Sequence, residues 1–272
     1  MLRRLALLPV LAAAMLASAC ITSTTTVKVK ANGSGTVEQV MLMNTAMIEQ
    51  LGQMFSSQMG GNSKVTSKSS NPFEDAMSED KMKAEIAKMK GVRLVSRTPI
   101  KKDGLDGVKV VLAFDDVNQL VLDENVGGKS KDPMRVSMAR NAAGNSVLTI
   151  EFPDKPGGEA GSKGGGGKKK SAAPKAEDMA MAQMFFKGFR VQMAVEVEGT
   201  LVRTSSPYVQ GNTVTLLDLD MEQLFANPAA LAGLDEMPFG PGMSVTEARA
   251  SLAKSGVEGI KINDPKVTIE FR

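Results

Sequence analysis

Short stretches in which polar and apolar residues alternate, each closed by a turn signal, recur along this chain and restrict it to folds rich in hairpins. Thr26-Val27-Lys28-Val29-Lys30 has period two, Asn32-Gly33-Ser34-Gly35 follows as a turn, and Thr36 to Met43 reads as the returning strand. The pattern repeats. Strands over Val92 to Ile100 and Val108 to Phe114 flank Asp103-Gly104 and Asp106-Gly107, and strands over Met134 to Ala139 and Ser146 to Phe152 flank Asn141 to Asn145. Further strands fall at Phe189 to Glu198, Leu201 to Ser205, Thr213 to Leu219, Ile260 to Asn263 and Val267 to Phe271. Period two sends alternate side chains to opposite faces, so each hairpin has one apolar face that needs a cover.

Helical spacing supplies the expected cover. Met47, Ile48, Leu51, Met54, Phe55 and Met59 fall on one face of a helix. Asn71-Pro72-Phe73-Glu74 resembles a capping box, opening a helix with Met82, Ile86 and Met89 on one side that Gly91 ends. Short helices are predicted from Asp116 to Leu120 and from Asp220 to Ala226. Ser244-Val245-Thr246-Glu247 opens a last one that ends at Gly256. Ala176 to Phe186 is apolar over most of its surface. The expected fold class is therefore α+β, an antiparallel β-sheet built from hairpins with amphipathic helices packed on one face.

The first residues carry a targeting pattern. Met1-Leu2-Arg3-Arg4 precedes an apolar run from Leu5 to Ala17, then Ser18-Ala19-Cys20. That is a basic region, a short hydrophobic core and a small-residue cleavage site, too short to span a bilayer. Cys20 is the single cysteine, which favours a lipobox over a disulfide and predicts a diacylglycerol thioether with a further acyl chain such as palmitate on the new amine. Several acyl chains hold a protein at a membrane where one is marginal. Ile21 follows the cysteine. No Asp stands there to suggest inner-membrane retention, so the expected location is the cell envelope, the periplasmic leaflet of the outer membrane in a Gram-negative cell. The organisation predicted is a signal peptide over 1–19, the first part of a lipid-anchored domain over 20–152, a flexible linker over 153–175, a second part over 176–226, and an extension with a helix and hairpin over 227–272. The linker carries Gly164 to Gly167 followed by Lys168 to Lys170, a composition that reads as a solvated spacer.

Composition narrows the chemistry. The chain has no histidine, which removes the commonest general base, the usual nucleophile pairs and most zinc and copper sites. Without Arg3 and Arg4 the formal charge of +3 becomes nearly neutral, so nucleic acid is not an implied partner. No enzyme activity, metal or cofactor is expected. Asp116 and Asp220 each precede a short helix and read as N-caps rather than as catalytic carboxylates with Asp115 and Asp218. The 19 methionines supply adaptable apolar volume. Met41, Met43 and Met47, like the run from Met179 to Met184, read as packing residues rather than a soft-metal box. A weak internal echo aligns Gly107 to Leu120 with Gly211 to Leu224 through Gly, Val, Leu, Asp, Gln and Leu.

One family resemblance follows from these features. The lipobox cysteine, Val27-Lys28-Val29-Lys30-Ala31-Asn32-Gly33-Ser34-Gly35-Thr36-Val37, Gly91-Val92-Arg93-Leu94-Val95 and Asp106-Gly107-Val108-Lys109-Val110 resemble the LppM-like lipoprotein domain known from mycobacteria. So does Val195-Glu196-Val197-Glu198-Gly199-Thr200-Leu201-Val202 leading to Gly211-Asn212-Thr213-Val214-Thr215-Leu216. The resemblance runs from Cys20 to Leu219 and implies a lipid-anchored domain with an apolar groove for envelope lipids or glycolipids. It carries over no residue with a role. The expected function is binding of a lipid, glycolipid or other apolar envelope component, with Met179, Met181, Met184, Phe185 and Phe186 as candidate groove residues. The alternative is a structural or adaptor lipoprotein that binds a protein partner in an envelope complex.

Overall fold

The computed structural model describes residues 21–44, 79–102, 104–122, 134–152, 188–226, 246, 249–250, 252 and 259–272. The signal segment, Cys20, the predicted helices over 47–59 and 176–186, the Asn71 capping box, the 153–175 linker and most of the 244–256 helix lie outside the described residues.

The strands form where alternation and turn residues place them. β1 (Ile21–Lys30) and β2 (Gly35–Met43) make the first hairpin, and β3 (Val92–Lys102) and β4 (Leu105–Phe114) the second. β5 (Val121–Leu122), β6 (Met134–Arg140) and β7 (Ser146–Glu151) follow. After residue 188 come β8 (Arg190–Glu198), β9 (Leu201–Thr204), β10 (Val209–Gln210), β11 (Thr213–Asp220), β12 (Ile260–Ile262) and β13 (Lys266–Phe271). Complete helical stretches among the described residues are short: α1 (Glu79–Ile86), a single 3-10 turn (Val117–Gln119) and α2 (Met221–Ala226).

These strands sort into two sheets. The larger has the order β10-β11-β8-β1-β2-β4-β3, with β12 also on β11, and the smaller has the order β5-β6-β7-β13-β9. One core joins them. Val27, Val29, Val37, Phe114, Val195, Val197 and Val214 of the large sheet pack with Met134, Val136, Leu148, Ile150, Val267, Ile269 and Phe271 of the small one. The expected α+β class is thereby corrected to a mostly β architecture of two packed sheets. The apolar face assigned to amphipathic helices is covered, over this half, by a second sheet. The physical reason is that every hairpin has an apolar face of its own. Two such faces bury each other row by row, leaving outer faces that carry pairs such as Lys28–Glu196 and Lys109–Glu38.

β1 sets the order of the large sheet, and Gly199 is one of the points where the chain crosses to the small one. β1 lies between β2, to which it is antiparallel, and β8, to which it is parallel, so the N-terminal strand is central in the large sheet. The chain leaves that sheet for the small one at Gly199. Its φ is 152°, and a Cβ there would strike the Arg272 carbonyl. Thr200 and Arg272 exchange backbone hydrogen bonds across this corner at 2.7 and 3.1 Å. The last strand, β13, lies between β7 and β9, so residues from both sides of 153–187 and the C-terminal segment share one sheet.

Candidate functional site

The two ends of the large sheet differ. Register aligns Ile21 with Met43 and Met43 with Asp106, and Thr22 with Arg190. This defines a near end, where β1 begins. Gly35, Phe114 and Glu198 mark the far end, which lies under the small sheet.

Strand alternation continues the core-facing side of Val27 and Val29 toward the near end as Ile21, Ser23 and Thr25. The same side of neighbouring strands carries Gln39 and Met41 on β2, Val108 and Val110 on β4, and Val191 and Met193 on β8. On β11 a bulge between Thr215 and Leu217 resets the pattern, so Leu217 and Leu219 join that side. The cover over this half is uneven. Met41, Val108 and Val110 form a second buried cluster, with Met82 of α1 and Leu94 and Leu112 packed against it. Toward β8 and β11, Ile21, Ser23, Thr25, Val191, Met193, Leu217 and Leu219 are all only half-buried.

These residues make a shelf about 13 Å long from Ile21 to Thr25 at roughly 3.3 Å per residue. Its floor is apolar, with the Ser23 and Thr25 hydroxyls and the Gln39 amide along its middle. Such a surface can take up hydrocarbon and offer a few directional hydrogen bonds, the usual make-up of a small-molecule site. Among its described residues no acid, base and nucleophile stand together.

Its border with the small sheet is strapped by Asn263, which is 1% exposed. The Asn263 Nδ2 donates to the Thr215 and Leu216 carbonyls at 2.6 and 3.0 Å, holding the β11 bulge. Its Oδ1 is buried and accepts no hydrogen bond. Beneath the shelf, on the opposite face, Arg190 donates from Nε and Nη2 to the buried Asp218 carboxylate, both at 2.9 Å. That carboxylate holds the Arg190 proton more tightly than usual, outweighing the opposing effect of burial. Lys261 Nζ stands 3.8 Å from the same carboxylate.

The acidic residues singled out from sequence are occupied locally. Asp116 Oδ1 accepts from the Asn118 backbone N–H at 2.9 Å, and this bond first, then the Asn118 and Gln119 side chains, holds the carboxyl below the usual aspartate range. Asp220 Oδ1 accepts from the backbone of Glu222 and Gln223 at 3.1 and 3.2 Å, which caps α2. Asp115 pairs with Arg93 at 2.6 Å and Asp218 with Arg190. The two pairs of aspartates stand at opposite ends of the sheet, so no site combines them.

Met179, Met181, Met184, Phe185 and Phe186 lie outside the described residues, as does Cys20. The Gly188 carbonyl accepts from Thr22 Oγ1 at 3.5 Å at the near end. Sequence reasoning missed Ser23 and Thr25 as surface-lining residues because it began β1 by Thr26, and Met193, within a predicted strand, is brought beside Thr25 only by pairing. The signal was present in Ile21-Thr22-Ser23-Thr24-Thr25-Thr26, a run rich in β-branched residues.

Among the described residues no group of three or more Cys, Asp or Glu side chains is placed to hold a metal ion, and no helix is long and apolar enough to cross a membrane. No family model matches the chain, and no curated protein matches it. Among solved structures, the NMR structure of the folded domain of Mycobacterium tuberculosis LppM is similar over 75% of this chain and 84% of that one, with 12% sequence identity and a TM-score of 0.32. This is a weak structural resemblance, and it assigns this chain neither a ligand nor a partner.

Proposed function

We propose that the chain is a lipid-anchored envelope protein that binds a lipid, glycolipid or other apolar envelope component on the half-covered shelf of its large sheet. The observation that carries this reading is the position of β1. Hydrogen-bonded strand begins at Ile21, the residue after the predicted lipidated cysteine, so the shelf starts where the anchor ends. The basic and apolar leader supports the anchor, with the outer membrane's periplasmic leaflet as the location in a Gram-negative cell. The apolar floor with its central hydroxyls supports a ligand that is mostly hydrocarbon.

The test is native mass spectrometry with lipid extraction on a Cys20→Ser chain purified from the periplasm. A co-purified lipid of defined mass is expected. In Thr25→Lys, capture should be lost while the thermal unfolding transition is kept, because Thr25 is half-buried and a lysine stem can reach water. Loss of both would make Thr25 a packing residue. An empty protein that takes up no added envelope lipid sinks the lipid reading. The adaptor reading then takes its place, with exposed Val202 and Val209, 46% and 41% accessible beside the sheet edges, as the first surface to crosslink.

A further inference from the structure

The near end of the sandwich has a property that neither an anchor nor a ligand shelf requires. Most of a strand's freedom at a tether comes from slack residues between the anchor and the first hydrogen bond. Here there is no slack. Ile21 is paired with Met43, and Thr22 is paired on both sides, with Leu42 and with Arg190. The Thr22 hydroxyl also reaches the Gly188 carbonyl. β1 is central in the sheet, so its first residue cannot swing away without opening two ladders.

We infer that the near end of the large sheet is a membrane-contact surface, seated in the headgroup layer of the bilayer that holds the Cys20 lipid. This rests on Cys20 being acylated. Successive α-carbons are about 3.8 Å apart, so an acylated Cys20 holds Ile21 one residue from the acyl chains. The headgroup layer on each side of the hydrocarbon is about 5 to 7 Å deep. Neighbouring strands are spaced about 4.8 Å apart, so residues level with Ile21 lie in that same layer. They include Phe189 beside Ile21 and Met221 following β11, whereas Met43 on the other side is buried.

The chemistry of this end says what kind of contact it makes. Its cations are only partly matched: Lys101 lies 2.9 Å from Asp106 and Arg190 pairs with the buried Asp218, while Lys261 stands 3.8 Å from that same carboxylate and Lys102 is exposed at the end of β3. The contact is set first by the anchor, with the apolar Ile21, Phe189, Met221 and Ile260, each half-buried, beside it. The large sheet stands with its strands pointing out of the bilayer, and the shelf opens at its lower end onto the leaflet.

The chain contains no tryptophan, so one introduced indole reports without background. Full-length acylated protein carrying Phe189→Trp at the near end, or Ala143→Trp in the far-end turn, is placed in phosphatidylcholine vesicles with and without chain-brominated lipid. Quenching by roughly two-fold is expected for Phe189→Trp and none for Ala143→Trp, as for an apolar contact seated at the acyl boundary. Ile260→Trp serves if Phe189→Trp does not fold. A flexible Gly-Ser spacer inserted between Cys20 and Ile21 should abolish the quenching while intact mass confirms the acyl chains. Equal quenching at both positions, none at either, or quenching that survives the spacer overturns the inference. A mass without acyl chains overturns it together with the anchor. An acylated protein that shows the expected quenching but never captures a ligand leaves the contact surface standing and removes only the shelf's lipid-binding role.

Discussion

The two halves of the large sheet are made of the same strands and follow the same alternation, yet they end up differently. At the far end Val27, Val29, Phe114 and Val197 are at most 2% exposed beneath the small sheet. At the near end, on the same side of β1 and β8, Ile21, Ser23, Val191 and Met193 remain half-buried. The difference lies in the cover. A second sheet meets the first row by row and excludes water across its width. The short helix α1 lies against β3 and contributes Met82 to a strip over β2 and β4, and the β1–β8–β11 side is partly buried. An amphipathic strand therefore specifies that a face will be covered without specifying how completely.

The sharpest way to break this comparison is truncation in each half. Phe271→Ala, at 0% exposure in the shared core, should cost about 3 to 5 kcal/mol in urea unfolding. Met193→Ala, partly buried at the edge of that same core, should cost less, about 1 to 2 kcal/mol. Equal losses would mean that the near half is packed as a core and not as a surface. Next comes Gly35→Ala. A methyl group there would press on the Lys28 carbonyl and the Phe114 ring, where backbone cannot give way. A loss of about 2 kcal/mol or more, read from the same unfolding curves, is expected from overpacking.

The smallest effect is one of pH and belongs to the far end alone. Glu270 accepts hydrogen bonds from Asn145, Arg203 and Asn141 at 2.8, 2.6 and 2.7 Å, tying the β6–β7 turn to β9. The Asn145 bond first, then those from Arg203 and Asn141, hold its carboxyl below the usual glutamate range. A carboxyl whose folded-state pKa is depressed contributes stability that is fully present above the unfolded-state pKa and lost as pH falls through the folded one. The urea midpoint should therefore drop on acidification through the glutamate range and below. Glu270→Gln should flatten that drop while lowering the midpoint at neutral pH. An unchanged acid limb would show that Glu270 does not lock the far end.

Much of the local structure was legible. β2, β6, β7 and β11 lie close to their predicted limits because alternation and turn residues act within a few positions, whereas β4 starts at Leu105 and takes into the ladder the Asp106-Gly107 pair expected in the turn. The caps were legible for the same reason. Asp116 and Asp220 bond to backbone N–H groups two residues on, and each also accepts from a glutamine three residues on, Gln119 and Gln223, both at 3.3 Å. The echo between these segments is thus reproduced in side-chain geometry. Its upstream half diverges, since β3 pairs with β4 in the large sheet whereas β9 pairs with β13 in the small one. The expectation of helices as the main cover failed because hydrophobic spacing shows that a face needs burial but not which partner buries it. The shelf was not legible, because Thr25 becomes a surface-lining residue only beside Gln39 and Met193, which pairing brings to it.

Local sequence was enough to place most of the strands and their turns, the aspartates that cap the short helices, and a basic and apolar leader that runs up to a single cysteine. Each of these depends on neighbours a few residues apart. Only the tertiary structure decided that β1 lies parallel to β8, that Gly199 passes the chain from one sheet to the other, and that β13 lies between β7 and β9. Every strand edge presents the same row of N–H and C=O groups. Its partner is chosen by how apolar faces distant in sequence bury one another, and that choice sealed one half of the large sheet more completely than the other.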